Sequence, residues 1–266
     1  IRFPGHPPYV AALLGRGDCE AKLGWHAVAI DHFKEAAAHL LDKVDTDDPR
    51  REELAGIVRS HHALNFDKGH YERAIDYITI LEGFDEQMPQ LLLELAMTHK
   101  HLAQQVLDRA SKEEGPGEGA GGPGGAQGGG EAVRVEMPSA GVREEQFQTA
   151  ALKFRKAGEY FYEHARALTR ADDASHGRSL WEAAEAFDKA RLWQKAIEVY
   201  SLFVRTRASD QYFLLATHRL ALAYQAEGQH EAAIENFLDL IDKHGKSQVS
   251  FESLVPLARS YIALGR

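Results

Sequence analysis

The sequence predicts an all-α protein, an α-solenoid of stacked helix–turn–helix repeats interrupted by a glycine-rich disordered loop. Three observations predict it. Apolar residues recur at intervals of three and four on both sides of the loop, which marks one face of a helix. A set of pattern positions returns with an offset of 37 residues. No segment has the period-two alternation of a half-buried strand.

Composition narrows the function classes. The 266 residues are enough for a sizeable core. The formal charge of −9, with acidic and basic residues interspersed, lacks the basic stripe that neutralising phosphates requires, so no nucleic-acid partner is expected. Cys19 is the only cysteine, so no intrachain disulfide can form, which leans toward a reducing compartment. No apolar run approaches the roughly 18–20 residues that span a bilayer, and no membrane span is expected. The opening "IRFPGHPPY" has no basic and apolar signal pattern and reads as a processed or excised end.

Along the chain, residues 1–112 read as an N-terminal helical block, 113–141 as a flexible linker and 142–266 as a C-terminal block. In "DDPRREELAGIV", Asp48 suits an N-cap and Pro49 the first helical position, where a missing N–H costs nothing. "HALNFDKGHYERAIDYI" (His62 to Ile78) has Gly69, Ala74 and Ile78 at spacings that recur later, and "AMTHKHLA" begins another unit, Ala96 lying 34 residues after His62. The run Glu113 to Glu131, "EEGPGEGAGGPGGAQGGGE", is too poor in apolar side chains to offset its ordering entropy. Within it, Gly117, Gly119 and Gly122 match G-x-G-x-x-G formally, but neither the preceding strand nor the following helix of a dinucleotide site is present. Next, Phe147, Ala151, Phe154, Gly158, Phe161, Ala165 and Leu168 share one helix face.

The repeat is clearest toward the end. Laying "AEAFDKARLWQKAIEVY" (Ala184 to Tyr200) over "ALAYQAEGQHEAAIENF" (Ala221 to Phe237) pairs Ala184 with Ala221, Phe187 with Tyr224, Ala196 with Ala233 and Tyr200 with Phe237, each 37 residues on. Shifting again brings Ala258, Tyr261 and Gly265 into line. This small–aromatic–glycine–alanine–aromatic order resembles the tetratricopeptide repeat family, whose units are helix pairs of about 34 residues. The family's early Trp is replaced by Leu180, Thr217 and Leu254, and its late Pro by Gly245. The resemblance implies a right-handed superhelix in which Ala184, Ala221 and Ala258 are small because paired helices cross there, Gly69 and Gly228 sit at turns, and Tyr200 and Phe237 fill the space between pairs. The 37-residue spacing resembles the bacterial cell-envelope branch of the family, which leans toward the periplasm against the cytoplasmic lean of the cysteine usage.

That register also settles "HEAAI", residues 230–234, which stops one residue short of the His-Glu-x-x-His zinc pattern. His230 and Glu231 are turn sequence at the start of a second helix, and Ile234 stands where the second histidine would be. His26, His32 and His39, the pair His61 and His62, and the pair His99 and His101 lack the spacing of three or four that puts two imidazoles on one ion, and read as surface or groove histidines. No metal, cofactor or catalytic constellation is expected.

Trp25 and Trp193 read as packing between helices. For the solenoid, the resemblance implies partner binding along the concave wall of first helices. Carrying the register across, that wall presents Arg59, Phe66, Leu93, Met97, Lys100 and His101 in the first block. In the second it presents Trp181, for which packing in the core is an equal alternative, Glu185, Asp188, His218, Leu222, Gln225 and Arg259. Glu185 and Asp188 speak against the family's carboxylate-clamp version, and a mixed acidic and apolar wall suits a protein segment with basic and apolar side chains. The expectation is a non-catalytic scaffold holding protein or peptide segments; the competing one is a substrate-recruiting region of a larger enzyme. The final repeat ends after its first helix, so its apolar side is expected to be covered by further chain, by a partner or by self-association.

Overall fold

Five turns of the chain are built alike. At Gly24, Gly69, Gly228 and Gly265 the backbone enters the left-handed region, with φ of 86°, 72°, 79° and 70°. In each, the following N–H reaches back five residues: Trp25 to the Glu20 carbonyl, His70 to Asn65, Gln229 to Tyr224 and Arg266 to Tyr261, at 2.8 to 3.0 Å. That bond satisfies a carbonyl the ending helix would leave orphaned, and glycine suits the left-handed position because it has no Cβ to clash. Arg191 makes the fifth turn, with φ 55° and the Leu192 N–H on the Phe187 carbonyl at 2.9 Å.

The computed structural model describes residues 7–42, 48–82, 88–112, 140–168 and 173–266. These form α1 (Pro7–Lys22), α2 (His26–Leu41), α3 (Pro49–Asp67), α4 (Tyr71–Ile78), α5 (Met88–Lys112) and α6 (Ala140–Ala167). They continue as α7 (Asp173–Lys189), α8 (Trp193–Thr206), α9 (Phe213–Ala226), α10 (His230–His244) and α11 (Gln248–Ala263). No strand occurs among the described residues. Each helix packs on the next in chain order, and first helices of successive pairs also touch, α1 on α3 and α9 on α11. The protein is an all-α solenoid.

Counting from each turn residue exposes the repeat's packing rule. Ala29, Ala74, Ala196 and Ala233 lie five positions after it, and Phe33, Ile78, Tyr200 and Phe237 nine after; all eight are 0 % exposed. The small residue lets the second helix close on the first, and the large one then fills the gap to the neighbouring pair. Burying each large side chain contributes about 1.5–3 kcal/mol. The α1–α2 pair obeys the rule although the sequence reading singled out only the later pairs. Where Gly17 and Gly158 sit inside helices, helices approach more closely still: a Cβ would lie 2.8 Å from the Phe33 and Phe187 rings respectively.

Other expectations hold or need correction. Asp48 caps α3, its carboxylate accepting from the Arg50 N–H at 3.0 Å, with Pro49 at the first position. α10 begins at His230 and buries Ile234, as the register requires. Of the expected loop, residues 113–139 lie outside the described residues, while Ala140 and Gly141 already belong to α6. α5 and α6 pack on each other through Ala96 and Ala157, the stacked rings of His99 and Tyr160, and Ala103 with Phe154. Trp25 is not packed between helices: it is 60 % exposed at the N-cap of α2. Ala258 is exposed rather than at a crossing, because no described helix lies on that side of α11.

Candidate protein-binding face

The first helices α1, α3, α5, α7, α9 and α11 are linked in series by side chains. Asp18 of α1 meets His61 of α3 at 2.9 Å. Arg59 of α3 donates to Glu94 of α5 at 3.2 Å, beside a buried contact between His62 and Thr98 at 2.9 Å. Lys100 of α5 pairs with Glu182 of α7 and lies 3.7 Å from Glu185. Arg219 of α9 is 3.6 Å from Asp188 of α7. Finally His218 of α9 meets Ser253 of α11 at 2.8 Å, and the Gln225 amide donates to the Pro256 carbonyl at 2.8 Å and the Ser260 hydroxyl at 2.6 Å. Several of these pairs lie 35 or 36 residues apart, because successive first helices stand side by side.

Against this frame the thirteen expected wall residues divide. Arg59, Lys100, Glu185 and Asp188 stand in the charged series, and Leu93 and Arg259 are exposed. Met97 and Leu222 are half-buried and packed on the core. Phe66 and His101 turn toward Tyr71 at the start of α4, with ring centroids 5.1 to 5.4 Å apart. Burial, and then the neighbouring Lys100, push the His101 imidazole below its ordinary range.

Two residues are not on the wall. Trp181 is 8 % exposed and stacks on Tyr212, centroids 5.0 Å apart and planes 11° from parallel, with Tyr200 and Phe203 beneath. His218 is buried and holds Ser253. Gln225, through its two bonds, is committed to α11 rather than to a partner. More broadly, His61, His62 and His99, read as surface or groove histidines, are buried at helix contacts, as are His164 and His218. Hydroxyls and a carboxylate offer the hydrogen bonds that make four of these burials tolerable: Asp18, Thr98, Ser179 and Ser253. Glu94, Glu182 and Arg219 complete the series and were missed; the 35-residue offset from Arg59 was an available signal for Glu94, whereas Lys100 and Glu182 lie 82 residues apart and follow no repeat offset.

Among the described residues no group of three or more His, Cys, Asp or Glu side chains is arranged to hold a metal ion, and no helix is long and apolar enough to cross a membrane.

The α9–α10 hairpin carries the clearest external likeness. Residues 216–247 match the tetratricopeptide repeat family. The turn, alanine and large apolar positions of this hairpin recur in α1–α2, α3–α4 and α7–α8. Among solved structures the chain is similar to one described as Podosopora anserina kinesin light chain nearly identical TPR-like repeats, with 21 % identity, 78 % of this chain and 87 % of that one covered, and a TM-score of 0.43. It is also similar to the P58(IPK) TPR domain, with 14 % identity, coverage of 97 % and 79 %, and a TM-score of 0.34. No curated protein matches the chain.

Proposed function

We propose that the chain is a non-catalytic scaffold that holds segments of partner proteins along its row of first helices. The observation that carries this reading is the series of cross-linked first helices, which holds charged and apolar side chains on packed, rigid elements. Leu93, Lys100, Glu185, Asp188 and Arg259 present both kinds of contact along it, so a segment alternating apolar and charged residues is the fitting occupant. Rigid elements set by packing, rather than loops, hold these groups, which lowers the ordering cost of binding.

The test is affinity capture with quantitative mass spectrometry, wild type against Leu93→Asp combined with Arg259→Glu. Both side chains are exposed, so helical circular dichroism should not change while specific partners are lost. An unchanged partner set would remove the face from consideration.

A second reading, self-association, is favoured by α11. Phe251, Leu254, Val255 and Ile262 all lie exposed on it, Ile262 at 73 %, with the spacing of one helix face. Light scattering over a concentration series tests it; a constant monomer mass across the range counts against it.

A further inference from the structure

A cleft of about 680 Å³ lies where the turns at Gly24 and Gly69 meet the flank of α5. No side chain of the charged series between first helices lines it. The first turn supplies apolar surface. Trp25 is 60 % exposed and Val28 44 %, both lining the cleft, and Leu23 beside them is 66 % exposed. At the matching place of a later turn, Leu192 is instead half-buried and packed on the core. An exposed apolar patch rimmed by polar groups marks an interaction site, and tryptophan and arginine carry much of the energy at such sites.

The second turn and α5 supply cations. Arg109 donates to the Gln105 side-chain oxygen at 3.1 Å, and the Gln105 amide donates to the Gly69 carbonyl at 2.9 Å, so the turn positions this guanidinium. Arg73 donates to the side-chain oxygen of the buried Asn65 at 3.4 Å. Both partners are neutral amides. Neither guanidinium forms an ion pair among the described residues, although Glu72 and Asp76 line the same cleft. Burial first, and then Arg73, His61, His70 and Lys68, push the His26 imidazole below its ordinary range, so cations outweigh acids at that point of the lining. α2 and α4 also begin at the cleft without a side-chain cap, and the partial positive charge of their first turns adds to the arginines.

Both signs of charge set what fits. The chain carries −9 overall, and Glu72 and Asp76 repel a run of acids. A single carboxylate flanked by apolar side chains meets the arginines and Trp25 without that penalty. We propose that this cleft docks a segment of a partner protein carrying one aspartate or glutamate beside a bulky apolar residue. The carboxylate accepts charge-assisted bonds from the guanidiniums, and the apolar residue covers Trp25 and Val28. Because the cleft crosses three successive elements, the segment runs through it rather than ending in it. The proposal does not rest on the first-helix reading above, since the two surfaces share none of their named contact residues.

A random peptide library displayed on phage is selected on the wild-type chain, and the enriched peptides are synthesised with a fluorescent label. Their affinities are measured by polarisation for wild type, Trp25→Ala, Arg73→Gln, Arg109→Gln and Leu93→Asp. The expected consensus has one Asp or Glu beside an aromatic or aliphatic residue. Arg109→Gln should weaken these peptides about tenfold, the value of one charge-assisted bond, and Trp25→Ala by at least as much. Replacing the peptide's acid by its amide should erase the difference between wild type and Arg109→Gln, while Leu93→Asp should change nothing. Trp25 and Arg109 are exposed, so their variants should keep the helical circular dichroism and decide the matter if Arg73→Gln disturbs the turn. Peptides that respond to Trp25→Ala yet lack an acid overturn the proposal, as does a selection in which none responds to Trp25→Ala and Arg109→Gln. In the second case, peptides that respond to Leu93→Asp alone leave the first-helix reading standing. A dimer seen by light scattering that Trp25→Ala dissociates would give the cleft to a second copy of the chain and overturn the proposal as well.

Discussion

Arg191 holds the same left-handed backbone that Gly228 holds 37 residues later, at the same place in the same kind of turn. For a residue with a Cβ this conformation costs about 1 kcal/mol relative to glycine. The Arg191 guanidinium lies 4.0 Å over the Phe147 ring of α6, a cation–π contact that offsets roughly 0.5–1 kcal/mol of that cost. In a Phe147→Ala background, Arg191→Gly should therefore stabilise the fold by about 1 kcal/mol. In wild type the gain should shrink by the coupling. Urea unfolding of the four proteins measures it; equal gains in both backgrounds would dismiss the ring contact.

Gly158 and Gly56 predict opposite responses to alanine. A Cβ on Gly158 meets the buried Phe187 ring at 2.8 Å, and overpacking of this kind costs about 1–3 kcal/mol. A Cβ on Gly56, inside α3, meets nothing within 4 Å. There the alanine should stabilise by about 0.5–1 kcal/mol, through helix propensity alone. Thermal melts of the two variants should move in opposite directions from wild type. A stabilised Gly158→Ala would show that α6 and α7 are less closely apposed than described.

These two cases mark what the sequence made legible. Gly69, Gly228, Ala74, Ala196 and Ala233 were readable because a left-handed turn and a close helix crossing each admit few residue types. Arg191 was hidden by the same logic, since an arginine gives no sign of a left-handed turn. The wall was harder. Repeat register tells which helix a residue occupies, but Trp181 is covered by Tyr212, which lies in the connection between α8 and α9 and outside any repeated position. The histidines misled for a different reason: their partners Thr98 and Ser253 lie 36 and 35 residues away, and a hydroxyl at that distance carries no pattern of its own.

Trp181 and Leu93 separate core from face. Trp181→Ala empties a site bounded by Tyr200, Phe203 and Tyr212 and should cost about 3–5 kcal/mol. Leu93→Ala, at an exposed position of α5, should change stability by no more than about 0.5 kcal/mol. Chemical denaturation followed by helical circular dichroism reads both. A Trp181→Ala protein as stable as wild type would return that residue to the binding face.

Acidification should weaken the α5–α6 contact through His99. Its ring is buried against Tyr160, its Nδ1 has no hydrogen-bond partner among the described residues, and burial, then Lys153 and Lys156, lower its pKa from 6.5 to about 4. Between those two values the unfolded chain binds a proton at His99 that the folded chain refuses. Stability therefore rises with pH across this window and is lost as pH falls through it, by roughly 3 kcal/mol in all. Below about pH 4 both states carry the proton and this contribution stays flat. Other groups titrate nearby, so the decisive quantity is the difference between wild type and His99→Phe, whose ring can keep the stack on Tyr160. Unfolding free energies at pH 7 and pH 4.5 should fall further for wild type than for the variant. Equal losses would mean that His99 meets water in the folded protein, and that α5 and α6 part more readily than their packing implies.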